Sequence, residues 1–243
     1  MTRLCKYLAD AGVASRRGAA RLIEAKRVTL DGKLATHTDP VLAHTLVCVD
    51  GNAVNPSTDK HYYAYHKPVG VDCRLLKNDP CSLLNQLPAA FAGEGIPRLY
   101  PAGRLDKDSR GLLLLTNDGE LTQQLMHPDF DHEKGYLATL DKAPKAEDIA
   151  AIAAGLDYGD GPTRPCRVER MCDDDASEAD VTFRVRMFIT EGKKRQIRRL
   201  WRARGYKVVD LLRDSIQTLM LGELAEGEMR PLTPEEMSLL KRT

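Results

Sequence analysis

No run of apolar residues in this 243-residue chain approaches the ~20 that a membrane-crossing helix requires. The first residues carry charge where a secretory signal would carry an apolar core, so a cytoplasmic protein without membrane association is expected. Cysteine is scattered: Cys5, Cys48, Cys73, Cys81, Cys166 and Cys172 form no Cys-x-x-Cys pair and accompany no histidine cluster. That spacing argues against a zinc site, and the thiols are expected to be reduced and mostly packed. A glycine-rich, phosphate-cradling loop is missing as well, so neither a metal nor an organic cofactor is expected. Internal repeats and extended low-complexity segments are also absent.

Net charge is the last thing in short supply, at +1, but it is unevenly distributed. Residues 1–34 hold eight Lys/Arg against three Asp/Glu, and residues 193–213 hold nine against one. Between them, Glu169 to Asp180 carries six acids and one base, which reads as an exposed loop. Two basic faces attract a polyanion even on a nearly neutral protein, because the field is local. Nucleic acid is the natural partner. Any one of these charge runs, taken alone, reads better as a solvated helix face.

The length suffices for one large domain and one small one, and 42% hydrophobic content supports a core. Leu4, Tyr7, Leu8 and Ala11 recur at helical spacing up to Gly12, and Ser15 is a good N-cap for a second helix reaching about Lys26. The period then changes to strands, with turns at Asp31-Gly32 and Asp50-Gly51. With Arg16, Arg17, Arg21, Lys26 and Arg27 on its helices, this is a compact basic module. The breaker-rich Asn55–Asp59 stretch sets the expected boundary, giving domains 1–58 and 59–243.

In the second domain, strands are expected at His61–Tyr65, Leu112–Leu115, Lys134–Leu140, Cys166–Met171 and Val181–Ile189. Helices are expected around Leu121–Met126, over Asp148–Ala154 up to Gly155, and from Arg195 to Arg204 with Ile197, Leu200 and Trp201 on the packing side. Thr233-Pro234-Glu235-Glu236 is a capping box opening a terminal helix. Strands and helices intersperse without strict βαβ alternation, which predicts an α+β fold.

The most informative segment is Pro101-Ala102-Gly103-Arg104-Leu105-Asp106-Lys107-Asp108-Ser109-Arg110-Gly111. It sets an aspartate beside an arginine in a loop closed by glycines, immediately ahead of a buried strand. A scaffold is presenting that carboxylate. As a pair, Asp106 and Asp108 could be the two acids of a glycoside hydrolase. Two residues apart in one loop, they need not face a common substrate, and a hydrolase has no use for two cationic faces.

Three motifs occur in order: this loop, Glu133-Lys134-Gly135-Tyr136, and Glu191-Gly192-Lys193-Lys194-Arg195-Gln196-Ile197-Arg198-Arg199. Together they resemble the pseudouridine synthases that act on ribosomal RNA. Arg3-Leu4-Cys5-Lys6-Tyr7-Leu8 and Ser15-Arg16-Arg17 resemble the small RNA-binding domain named after a ribosomal protein of the small subunit. Gly18 departs from that domain's usual capping glutamate, and Lys26 from its helix-ending glycine. His66 stands where the synthases commonly have asparagine before Lys67-Pro68, and it is given no catalytic role.

The resemblance implies a mixed, mainly antiparallel sheet preceded by a small α/β RNA-binding domain. It implies isomerisation of one uridine in ribosomal RNA to pseudouridine, in the large subunit by the lean of Gly-Arg-Leu-Asp-Lys-Asp-Ser, with the small subunit as alternative. A non-catalytic RNA-binding assembly factor is the further alternative. By residue match, Asp106 is the catalytic carboxylate, Arg198 its pairing cation, and Tyr136 the ring that stacks on the base. Arg104 is the residue filling the gap left by the flipped nucleotide. A buried carboxylate needs a cation to remain charged, and arginine's planar fork suits the task. Attack on the base, attack on the ribose and a glycal route all remain open. Arg3, Lys6, Arg16, Arg17, Arg21, Lys194, Arg195 and Arg199 are assigned to RNA phosphates. Ribosomal RNA or an assembly intermediate is the expected partner, and a monomer the expected state.

Overall fold

The computed structural model describes residues 1–57, 59–88, 98–127, 130–171 and 183–241. Cys172, the acidic stretch beyond Met171 and the start of the strand expected at Val181 lie outside the described residues. The described chain divides into two compact units, residues 1–61 with 98–99, and residues 62–88 with the remainder from 100 onward.

In the first unit, β1 (Thr2–Arg3), α1 (Leu4–Asp10), α2 (Arg16–Glu24), β2 (Val28–Leu30), β3 (Lys33–Leu34), β4 (Pro40–Val41), β5 (Val47–Val49) and β6 (Asn52–Ala53) follow in order. The Ser15 hydroxyl caps α2 by accepting the Gly18 amide at 3.1 Å, although Gly18 cannot reciprocate as glutamate would. Lys26 ends that helix at φ 57°, a conformation costing about 1 kcal/mol relative to glycine. Asp31-Gly32 and Asp50-Gly51 both take positive φ, as two-residue hairpins require, and build the sheet β3-β2-β5-β6. Leu4, Leu8, Ala19 and Ile23 pack on Val28, Val41 and Val47 to close the core.

The second unit contains β7 (Tyr62–Lys67), α3 (Leu83–Gln86), β8 (Tyr100–Ala102), β9 (Arg110–Thr116), α4 (Gly119–Met126), β10 (Lys134–Leu140) and α5 (Ala146–Ala154). It continues with β11 (Arg167–Met171), β12 (Phe183–Ile189), α6 (Gln196–Ala203), β13 (Val208–Ile216), β14 (Leu219–Met220), β15 (Met229–Pro231) and α7 (Pro234–Lys241). The strands form one sheet in the order β11-β12-β10-β13-β9-β7-β15, with β14 on β13 and β8 on β9. The β13–β9 pairing is parallel and the other described pairings of this sheet are antiparallel, so the α+β, mainly antiparallel expectation holds. The capping box forms as read: Thr233 accepts the Glu236 amide, and the Glu236 carboxylate accepts the Thr233 amide at 2.8 Å.

Two differences from expectation bear on the site. Helix α6 spans Gln196–Ala203 rather than Arg195–Arg204, because Arg195 turns into the left-handed region at φ 54°. Strand β13, at nine residues the longest described, has no counterpart in the sequence reading. Its apolar residues are interrupted by Asp210, Arg213 and Asp214, so neither an alternating nor a continuous apolar pattern stands out.

Candidate active site

A cavity of about 770 Å³ opens within the second unit. It is lined by the Asp106 loop, by Lys134 and Tyr136 of β10, by residues 189–197, and by Leu211 and Arg213 of β13. Asp106 is half-buried, Tyr136 is 9% exposed, and neither side chain is hydrogen-bonded among the described residues. Arg104 is exposed at the rim of the same cavity and makes no ion pair with Asp106 or Asp108. The geometry thus brings the acid, the phenol and Arg104 together.

The loop is fixed from two sides. The Cys73 thiol donates to the Leu105 carbonyl at 3.3 Å and receives the Leu105 amide at 3.4 Å, while the Gly70 amide donates to the Lys107 carbonyl at 2.7 Å. Burial pushes the Cys73 thiol upward, so it serves as a neutral donor. Behind Gly70, the fully buried Lys67 ammonium donates to the Pro68 and Val71 carbonyls at 2.9 and 2.8 Å. From the other side, Arg195 grips Asp108 through both carboxylate oxygens at 2.9 and 2.6 Å. Arg195 holds the Asp108 carboxyl below the usual range, the bidentate bond being the main cause.

Arg198 is placed differently from the expectation drawn from resemblance. Its two terminal nitrogens donate to the Val208 and Asp108 carbonyls, each at 2.7 Å, and its Nε lies 3.4 Å from the Asp108 carboxylate. It makes no ion pair with Asp106, nor does it line the cavity. A helix arginine adjacent in sequence to the right motif thus steadies the loop two residues past the acid. Sequence spacing sets the helix position of Arg198 but not which carboxylate its fork meets.

On the opposite wall, Lys134 and Tyr136 share one face of β10, and Tyr136 stands across the ladder from Arg213. Gly135 between them leaves room for Ser215 and Asp214, whose side chains a Cβ would strike. Burial and the nearby Arg213 push Lys134 down to about 8, while its ammonium donates to the His132 carbonyl at 2.9 Å. Arg213 was not among the candidates; an arginine embedded in Leu211-Leu212-Arg213-Asp214-Ser215-Ile216 was the signal available.

The remaining basic candidates separate into free and engaged. Arg3, Arg16, Arg17 and Arg21 in the first unit and Lys194 in the second are exposed, with no ion pair among the described residues. Lys6 pairs with Asp10 at 3.4 Å. Arg199 pairs with Asp160 and lies 4.4 Å over the Tyr158 ring, and Arg195 is committed to Asp108. Arg195 and Arg199 thus each carry an ion pair within the chain, unlike the candidates above. His66 is buried, its Nδ1 2.7 Å from the Leu224 carbonyl, in keeping with a structural role. Among the described residues no group of three or more His, Cys, Asp or Glu is placed to hold a metal ion, and no helix is long and apolar enough to cross a membrane.

Comparison with known proteins follows the same lines. The family model for RNA pseudouridylate synthase matches residues 61–203, and that for the S4 domain matches residues 2–39. The dual-specificity RNA pseudouridine synthase RluF of Escherichia coli (strain K12) is 36% identical over 237 residues, covering 97% of this chain and 77% of that protein. The ribosomal large subunit pseudouridine synthase B of Bacillus subtilis (strain 168) is 35% identical, covering 99% of this chain and 96% of its own. A solved pseudouridylate synthase superposes with a TM-score of 0.68 at 31% identity, covering 99% of this chain and all of the other. With its synthase domain matched over more than half of the length and an S4 domain ahead of it, the chain belongs to the RNA pseudouridylate synthase family.

Proposed function

We propose that this enzyme isomerises a uridine of ribosomal RNA, in the large subunit, with Asp106 as the catalytic carboxylate. The observation that carries the reading is the convergence of Asp106, Tyr136 and Arg104 on one cavity, from two elements far apart in sequence. Its volume of about 770 Å³ is within the range of small-molecule sites and can admit a nucleotide. The target uridine leaves its stack to reach the acid, at a cost of roughly a few kcal/mol. Arg104, exposed and unpaired, enters the vacated position. Tyr136 stacks on the extruded pyrimidine, and its hydroxyl assists removal of the ring-carbon proton late in the reaction.

Asp106 acts through its charged form, whether it attacks the ring, attacks the ribose carbon or promotes a glycal. The clamps at Leu105, Lys107 and Asp108 hold the loop in place, which matches the positional demands of such a step. In this reading Arg198 is a positioning residue. The Bacillus subtilis relative, named for the large ribosomal subunit, supports that choice of substrate.

The test is to incubate the purified protein with unmodified ribosomal RNA of both subunits and with ribosomal particles, then map pseudouridine. A single new site in large-subunit RNA is expected, and Asp106→Asn should abolish it while RNA binding stays within about threefold. Product formation by Asp106→Asn would remove the carboxylate from its role, and the absence of any new site in all substrates would favour a non-catalytic RNA-binding factor.

A further inference from the structure

A cation with no ion pair among the described residues stands at the wall of the cavity. Arg213 is 2% exposed, and its Nε donates to the Leu112 carbonyl at 2.7 Å. Its two terminal nitrogens have no hydrogen bond or ion pair among the described residues, and Nη2 is wholly buried. Of the carboxylates lining the cavity, Asp72 pairs with Arg74 at 2.6 Å and Glu191 accepts from Gln196 at 2.6 Å, while Asp106 makes no ion pair with Arg213; Asp214, next in sequence, pairs with Arg186 at 2.8 Å. A second cation, Lys134, lines the same cavity. Guanidinium groups buried without a partner are unfavourable, and an anion arriving in the cavity relieves that state.

The isomerisation itself produces such an anion. The bond from the ribose C1′ to N1 breaks with its electron pair retained by the base, which leaves one negative charge shared among N1, O2 and O4. The turned base then bonds through C5 to C1′, the C5 proton departs, and N1 gains a proton, so the atoms of uridine are conserved. Whichever atom the Asp106 carboxylate engages first, the C1′–N1 bond has to break.

We propose that Arg213 is a further catalytic residue, whose Nη1, the unpartnered terminal nitrogen that is not wholly buried, donates to a carbonyl oxygen of the uracil while the guanidinium holds the charge of the detached base. The proposal rests on the reading of this cavity as the uridine pocket. Position supports it: Arg213 lies across the ladder from Tyr136 and lines the same cavity, so a base stacked on the phenol shares its pocket with the guanidinium. A donor aimed at charge that develops only during reaction accelerates turnover rather than binding.

Wild type, Arg213→Gln and Arg213→Ala are compared on one ribosomal RNA substrate for kcat, KM and melting temperature. Glutamine can keep a donor toward the Leu112 carbonyl while discarding the charge. Its kcat is expected to fall about 10²–10³-fold, as on loss of one oxyanion donor, with KM within about threefold and a melting temperature equal or higher. Guanidinium added to Arg213→Ala should recover at least about tenfold in turnover, where the same concentration of sodium chloride does not. Turnover of Arg213→Gln within about threefold of wild type overturns the proposal. So does a lowered melting temperature with a loss that guanidinium leaves unrepaired, since that is the behaviour of a structural residue. If Arg213→Ala does not fold, Arg213→Gln alone decides through its kcat and melting temperature. Wild type inactive on every ribosomal RNA instead refutes the uridine-pocket reading, and this proposal with it.

Discussion

Lys134 is a cation placed where burial and a second cation both oppose its charge, which is why it titrates near 8 rather than in the usual lysine range. The consequence for stability has a definite sign. Between about pH 8 and the ordinary value of 10.5, the unfolded chain holds the proton that the folded chain has lost, so stability from this group rises with pH there. Below about 8 both states are protonated, and the folded state bears the full cost of the buried charge. Replacing Lys134 by methionine removes that cost, so at pH 7 Lys134→Met should melt at or above wild type, with the difference turning toward wild type by pH 10. A difference independent of pH in paired melting curves at pH 7 and 10 would mean that Lys134 titrates normally in the fold. Tyr136 was legible through its motif, and the two-residue spacing puts Lys134 on the same face of the strand. Arg213 was not, because the register that sets it opposite Tyr136 depends on how distant segments pair. The same limit applies to Arg198: its position in the motif was readable, and its attachment to Asp108 instead of Asp106 was not.

Among the elements, β9 and β13 make the parallel contact that brings the end of the Asp106 loop against the arginine wall, pairing Leu212 with Arg110 and Arg213 with Gly111. Gly111 sits at φ 112°, and a Cβ there would lie 2.6 Å from the Arg213 amide nitrogen and closer still to its carbonyl oxygen. Backbone cannot yield as a flexible side chain does. Gly111→Ala therefore combines a left-handed conformation with a collision, and about 3 kcal/mol or more of stability should be lost in urea denaturation. A loss below about 1 kcal/mol would show that β9 shifts without consequence and that this contact does not position the loop. Strand β10 was readable to its end residues, whereas α4 begins at Gly119, two residues ahead of the expected Leu121, because the Asp118 carboxylate caps it by accepting the Glu120 amide at 3.0 Å. Strand β13 was hidden by the charges that interrupt its apolar pattern, among them the arginine that lines the cavity.

For the molecule as a whole, a formal charge of +1 provides almost no net attraction for RNA, so binding depends on where unneutralised cations lie. Many of the basic residues are internally occupied: Arg27 with Asp50, Arg110 with Asp210 and Glu226, Arg195 with Asp108, Arg230 with Glu236. On helix α2 of the S4 domain the position is reversed, since Arg16, Arg17 and Arg21 are exposed and have no ion pair among the described residues. The helix buries Ala19 and Ile23 instead, so removing its arginines leaves the core intact. The triple substitution Arg16→Gln, Arg17→Gln, Arg21→Gln should thus keep its melting temperature and its kcat at saturating RNA within about twofold. Its KM should rise, because each lost phosphate contact forfeits the counterions it released. The diagnostic quantity is the salt dependence: the slope of log affinity against log salt should become shallower by roughly 2–3, at about 0.7–0.9 per contact. Weakened binding with an unchanged slope would indicate that these arginines act by shape or hydrogen bonding and leave the phosphates to other residues. A flattened slope with intact kcat would place capture in the S4 domain and chemistry in the synthase domain.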